Sequence, residues 1–189
     1  MQDKESVTVI GSGQSAAEIY LDLLEGMQEH DYHLTWITRS PRFFPMEYTK
    51  LTLEVTSPEY ARYFRELPME RRDVLLREQR NLYKGISGDL VDQIYDTLYR
   101  IRVETGAPVP TTLLTNSEVR EASWDATTGR YLLGVHHEEQ DAAVEVSSEG
   151  LVLATGYRPR TPHFLAPVAD RIRDMGPVIA ARPGYQPPT

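Results

Sequence analysis

The apolar residues of this chain fall into runs whose period changes along the sequence. Val7-Thr8-Val9-Ile10 is a short, mostly β-branched run ending in glycine, the pattern of a buried strand. Gly11 to Ser15 read as a tight turn. From Ala16, apolar Ile19, Tyr20, Leu23, Leu24 and Met27 recur at helical spacing, one face of an amphipathic helix. His33 to Thr38 is a second strand candidate. Residues 7–38 therefore read as strand, glycine turn, helix, strand.

Residues 39–56 carry little periodicity and read as an ordered loop. Ser57-Pro58-Glu59 then opens a helix: serine caps, proline suits the first turn, and glutamate suits the positive end. Tyr60, Tyr63, Phe64 and Leu67 form its stripe. A second helix starts at Pro68, with Leu75, Leu76, Gln79, Leu82 and Tyr83 on one side and Gly85 as its stop. Ser87 caps a third, with Leu90, Val91, Ile94, Tyr95, Leu98 and Tyr99 expected inward, ended by Gly106 and Pro108. From Thr111 the pattern turns to strands: Thr112 to Asn116, Val119 to Trp124, Tyr131 to His136 and Val144 to Val146, with a turn at Thr127-Thr128-Gly129. Leu151 to Ala154 is another buried strand. From Pro159 onward, seven of 31 residues are proline, so an irregular tail is expected there. The expected organisation is one domain over 1–157, with a helical insert at about 57–104 and an antiparallel meander at about 111–147, followed by a tail over 158–189.

Composition narrows the class. The chain has 189 residues, a net charge of −8 and no cysteine. The absence of cysteine removes disulfides, thiolate metal sites and a thiol nucleophile. The acidic balance argues against nucleic acid or an anionic membrane as partner. No apolar run is long enough to span a membrane, and the polar Met1–Ser6 start lacks a signal-peptide core. A cytoplasmic location is the expectation.

The chemistry lies in Gly11-Ser12-Gly13-Gln14-Ser15-Ala16, a G-x-G-x-x-A string that follows a strand and opens a helix within a βαβ pattern. Gly11 permits the tight turn, Gly13 lets a pyrophosphate approach the backbone, and Ala16 lets the helix pack close. The helix N-terminus offers N–H groups and a positive dipole end to phosphates. The expected fold class is α/β: a Rossmann-like nucleotide-binding domain with a helical insert and a small meander. At the end of the second strand stands Thr38-Arg39-Ser40-Pro41-Arg42. A site for NAD usually has a carboxylate there to hold the ribose 2′-hydroxyl; guanidiniums and a hydroxyl suit a 2′-phosphate, hence NADP(H).

Other readings of the same residues are weaker. Gly13 to Ala17 is one glycine short of a nucleophile elbow, with His136, His137 and His163 as candidate bases, but that reading leaves Gly11 and the arginines idle. His136-His137-Glu138-Glu139 suggests a metal site, yet neighbouring strand residues point to opposite faces. Glu138 to Glu149 holds five acids and no base and reads as a solvated loop. Tyrosines 60, 63, 83, 95 and 99 read as core or interface, and Lys50 and Lys84 as surface residues. No catalytic or metal-ligating constellation emerges.

Four strings in this order, GSGQSAAE at 11–18, YTKLTLEVTSPEYARYF at 48–64, EQRNLYKGIS at 78–87 and ATGYRP at 154–159, resemble the microbial N-hydroxylating flavin monooxygenases of siderophore biosynthesis, which act on lysine or ornithine. The middle strings look closer to the lysine branch. Ornithine enzymes tend to carry a substrate-binding Asn in the 48–56 region, where Leu53-Glu54 stands here. The resemblance implies NADPH as reductant, FAD as the oxygen-activating group, and L-lysine or a similar amine and O2 as substrates. It places Gly11 to Ala16 on the NADPH pyrophosphate, Arg39, Ser40 and Arg42 on the 2′-phosphate, and Thr155-Gly156-Tyr157 at the crossing to a flavin domain. The other ten glycines form no second G-x-G-x-x-G/A string for FAD. The chain therefore reads as the NADPH-binding part of such an enzyme, inactive alone, with a complementing FAD domain or a second copy as its expected protein partner.

Overall fold

The computed structural model describes residues 3–47, 49–157, 162–175 and 178–181. The chain forms two compact units, residues 1–155 and 156–189.

The first unit is built on a parallel sheet. Strands β1 (Ser6–Ile10), β2 (His33–Ile37), β3 (Thr111–Leu114) and a late strand Gly150–Leu153 lie in the spatial order β3, β2, β1, late strand. Each neighbouring pair is parallel. Parallel neighbours need crossovers, and helices supply two of them: α1 (Gln14–Gly26) links β1 to β2, and a long helix, Gly88–Thr105, closes the return from β2 to β3. Between β2 and that helix come a 3-10 turn (Thr52–Thr56), α2 (Pro58–Glu66), α3 (Met69–Glu78) and a second 3-10 turn (Arg80–Leu82), so Gly88–Thr105 is α4.

Strand alternation divides the core in two. Val7, Val9, Leu34 and Trp36 face α1 and α4, where Ala16, Ala17, Tyr20, Leu24, Leu90, Ile94 and Ile101 meet them. Ile37 and the partly buried Ile10, Leu114 and Leu151 belong to a second cluster with Leu133 and Val135. Those two come from an antiparallel sheet of β4 (Ser117–Asp125), β5 (Arg130–His137) and β6 (Ala142–Ser148), after which the late strand is β7. The parallel sheet is thus covered on both faces, as parallel sheets generally are. Arg130 fastens the layers: its guanidinium meets Glu149 at 2.9 Å and donates to the Ser6 hydroxyl at 2.7 Å and the Ser147 hydroxyl at 2.9 Å.

Four expectations need correction. Thr111–Leu114 is no meander strand; it hydrogen-bonds in parallel to β2 as the sheet's edge, and the meander begins at Ser117. The last third of the helical insert is not inserted material but the crossover helix α4, whose buried positions are Leu90, Ile94, Thr97 and Ile101. Tyr95 and Tyr99, expected inward, are 68% and 63% exposed. Gly85 does not end a helix; it lies against Phe44 and Met46 beside the bridge from Pro45 to Ile86. The helix caps stand as read: Ser57 and Ser87 side chains accept from the Tyr60 and Leu90 N–H groups, and Gly106 takes the left-handed conformation at φ 65°. In α2 and α3 the only buried residue is Arg72.

In the second unit, a 3-10 segment (His163–Arg171) precedes an antiparallel pair, β8 (Ile172–Met175) and β9 (Val178–Ala181). This is more regular than the tail expected from its prolines. Residues 158–161, 176–177 and 182–189 of that tail, and Tyr48 of the 48–64 string, lie outside the described residues.

Candidate nucleotide-binding site

The glycine turn sits at the C-terminal edge of the parallel sheet, and the surrounding strands fix it. Gly11 N–H donates to the Ile37 carbonyl at 3.0 Å, and the Trp36 indole N–H donates to the Gly11 carbonyl at 2.8 Å. Trp36 is itself held between Tyr20, with ring centres 4.7 Å apart, and Phe43, at 4.2 Å. The Tyr20 hydroxyl bonds to Thr111 Oγ1 at 2.8 Å, and burial pushes its pKa up to about 12. On the other side, Ala154 N–H donates to the Ile10 carbonyl at 2.8 Å, which brings the end of β7 against the turn. A Cβ on Gly11 would run into the Ala154 carbonyl oxygen and come within 3.1 Å of the Ala16 Cβ. Gly11 is thus required by close passage of chain as well as by the turn, and Ala16 is fully buried, as close packing demands.

The N-terminus of α1 is open. Gly13 is its N-cap, no side chain caps it, and its first turn holds no acid. Ala16 and Ala17 N–H groups donate back to the Gly13 carbonyl at 3.1 and 3.2 Å, so the N–H groups ahead of them precede the first bonded turn. Nothing lies within 4 Å of where a Gly13 Cβ would be. Uncapped donors, a positive helix end and clear space over Gly13 are what a pyrophosphate needs, so these residues fit one. Ser12 and Ser15 are exposed beside it. The Gln14 side chain is engaged elsewhere, since its Oε1 accepts from Ser87 N–H at 2.8 Å and its Nε2 donates to Glu18 at 2.9 Å. Only the Gln14 backbone N–H is left for an anion.

The same sheet edge carries the arginine segment. β1 and β2 run in register from Ser6↔His33 to Ile10↔Ile37, so the turn and Thr38–Arg42 leave the sheet side by side. Thr38 is buried and its Oγ1 accepts from Ser40 N–H at 3.0 Å. Arg39 projects outward with its side chain 79% exposed, 3.7 Å from Glu118. The Ser40 hydroxyl donates to the Arg42 carbonyl at 2.6 Å, and Arg42 folds back on the Pro41 carbonyl. Arg39 is therefore the arginine free to turn toward a ligand. Thr155 follows Ala154 at the end of the first unit, and Gly156, at φ 85°, opens the second.

The remaining candidates are not drawn together. His136 faces Asp141 at 3.4 Å, while His137 Nδ1 accepts from Gln140 N–H. Among the described residues, no histidine or carboxylate bonds to the Ser15 hydroxyl, and no group of three metal-ligating side chains converges. A shallow groove on α4 is lined by Asp89, Asp92 and Asp96, an unfavourable surface for a phosphate. Sequence reasoning missed Trp36 as the residue that pins the turn. An indole in a buried strand is the available signal, because its N–H must find an acceptor.

A four-stranded parallel sheet, a glycine turn at its carboxyl edge and an open helix N-terminus define the class: a Rossmann-like α/β unit. Residues 1–159 match the model of the L-lysine 6-monooxygenase/L-ornithine 5-monooxygenase family, and the chain belongs to that family. It is 49% identical over 172 residues to an alcaligin biosynthesis enzyme of Bordetella pertussis, covering 91% of this chain and 37% of the relative. It is 46% identical to a putrescine N-hydroxylase of Shewanella oneidensis, covering 91% and 34%. It matches the FAD-bound cadaverine monooxygenase of desferrioxamine biosynthesis from Erwinia amylovora with a TM-score of 0.81 and 49% identity, covering 91% and 40%. An L-lysine N6-monooxygenase of Escherichia coli is more distant, at 31% identity. The chain thus spans well under half the length of these relatives.

Proposed function

We propose that this chain is the NADP(H)-binding portion of an FAD-dependent N-hydroxylating monooxygenase of siderophore biosynthesis, and that its amine is an aliphatic diamine. The observation that carries the nucleotide reading is the open α1 N-terminus beside an exposed Arg39, both at the carboxyl edge of β1 and β2. The N–H groups around Gly13 would hold the pyrophosphate, with Ser12 and Ser15 at its flank. Arg39 would pair with the 2′-phosphate; Ser40 and Arg42, expected beside it, would join only by leaving the Arg42 and Pro41 carbonyls that they now engage. Thr155 and Gly156 would carry the chain on toward a flavin-binding part. FAD, when bound there, supplies the electron transfer to O2. The protein's share is to bind and orient the nicotinamide cofactor and to keep water out. The reading places the enzyme in the cytoplasm.

The lean toward lysine gives way to a diamine. Over the aligned stretch, the relatives named for putrescine and cadaverine are 38–49% identical to this chain, against 31% for the Escherichia coli one named for lysine. The Leu53-Glu54 departure from the ornithine pattern agrees with this. The test is a chimera in which this chain replaces the matching segment of the Erwinia amylovora enzyme. NADPH-dependent hydroxylamine formation from cadaverine or putrescine, with little from lysine or ornithine, is the expected result. Preference for lysine would reject the diamine assignment, and equal use of NADH would reject the nucleotide assignment.

A further inference from the structure

The Arg39 guanidinium is not alone at the end of β2. The start of β4 is stitched to the segment that carries it: Ser117 N–H donates to the Thr38 carbonyl at 2.9 Å, and Asn116 N–H donates to the Ser40 carbonyl at 2.9 Å. Asn116 turns the chain there through a left-handed conformation, φ 53°. These two backbone bonds bracket Arg39, so the next residue of β4, Glu118, is delivered beside it. One carboxylate oxygen of Glu118 lies 3.7 Å from Arg39 Nη1, and the other lies 3.5 Å from Arg120 Nε. Arg120 is committed elsewhere, since its Nη2 donates to Glu138 at 2.8 Å. Glu138 is itself anchored by its N–H bond to the Asn116 carbonyl at 2.9 Å. Two guanidiniums and two carboxylates therefore alternate along this edge, with Arg39 at the open end.

We propose that Glu118 is a specificity-determining residue that restrains NADP(H) binding by competing with the 2′-phosphate for Arg39. This rests on the nucleotide reading above and deepens it. A ligand phosphate must draw Arg39 away from Glu118, and it then sits close to a carboxylate of like charge. NAD(H) has no 2′-phosphate and meets neither penalty. A role in which Glu118 instead pre-orients Arg39 is disfavoured by the geometry. At 3.7 Å and with the arginine 79% exposed, the pair is too loose to order the side chain. Exposed ion pairs of this kind are modest, so the effect is a tuning one of a few-fold, and salt screens it.

The experiment is calorimetric titration of NADP+ and NAD+ into the full 189-residue chain as wild type, Glu118→Gln, Arg39→Ala and the double variant, at low and high salt. Glu118→Gln keeps the size and the hydrogen-bonding length of the side chain. It is expected to tighten NADP+ about 2- to 5-fold at low salt, leave NAD+ unchanged, and have no effect once Arg39 is alanine or salt is high. Unchanged or weaker NADP+ binding in Glu118→Gln, with Arg39→Ala still abolishing the NADP+ preference, overturns this proposal and leaves the nucleotide reading standing. An equal change for both nucleotides also overturns it, because that is a structural effect. If Arg39→Ala does not alter NADP+ binding, or wild type binds neither nucleotide, the nucleotide reading fails and this proposal falls with it.

Discussion

Gly11 and Gly13 stand two residues apart and serve different ends. Gly11 has the Ala154 carbonyl where its side chain would be, whereas Gly13 faces open space in an ordinary extended conformation, φ −112° and ψ −175°. Gly11→Ala is expected to cost about 1–3 kcal/mol in a denaturant melt, because backbone must move to admit it. Gly13→Ala is expected to melt like wild type and yet lose nucleotide affinity in a titration, because its methyl occupies the space over the helix end. Tyr20 adds a pH dependence. Its hydroxyl stays protonated in the fold up to about 12 but ionises near the ordinary 10.0 when unfolded. The native state therefore holds the proton longer, and stability that is fully present below pH 10 falls as pH rises toward 12. Tyr20→Phe removes that decline. It also removes the bond to Thr111, at a cost of about 1 kcal/mol at neutral pH. Alkaline melts of the two proteins compare the slopes; parallel curves would reject the assignment.

Among the elements, those with strong local signals were legible. β1, α1 and β2 were readable because a β-branched run, a glycine turn and a helical stripe follow one another without interruption. The starts of α2 and α4 were readable because Ser57 and Ser87 cap them, and Ser87→Ala is expected to cost about 1 kcal/mol in thermal melts. What failed was partner choice. Thr111–Leu114 is four residues long, followed after two residues by β4, and nothing local says that it pairs with β2 rather than with β4. The buried face of α4 lies a fraction of a turn from the one the periodicity predicts. Tyr95 and Tyr99 are apolar by pattern, but a phenol is content in water, and the small Thr97 is buried instead. The site divided in the same way. The glycine string and Arg39 could be read locally. Trp36, Ala154 and Glu118 join them through sheet register, over separations that periodicity does not reach.

At the scale of the whole molecule, two cores on opposite faces of one sheet must stay in register for the turn to keep its shape. Arg130 bridges the β6–β7 corner and the start of β1, with its side chain 27% exposed. Arg130→Met is expected to cost about 1–3 kcal/mol, since Glu149 and Ser6 lose a charged donor. A loss smaller than half of that in a denaturant melt would mean that the clamp is incidental. The chain spans 34–40% of the relatives described above. The proposed division of labour leaves the flavin chemistry outside it. The purified chain supplied with FAD is accordingly expected to show no NADPH oxidation above the free-flavin rate, and a rate above that background would refute this division.

The central claim is that the α1 N-terminus and Arg39 form an NADP(H) site. The most direct measurement is calorimetric titration of NADP+ and NAD+ into the chain and into Arg39→Ala. A charged guanidinium–phosphate contact contributes about 1.5–3 kcal/mol. The expected result is therefore NADP+ binding at least about tenfold tighter than NAD+, with that preference abolished in Arg39→Ala and NAD+ binding unaffected. Equal affinity for the two nucleotides, or a preference that survives the loss of Arg39, would contradict the account.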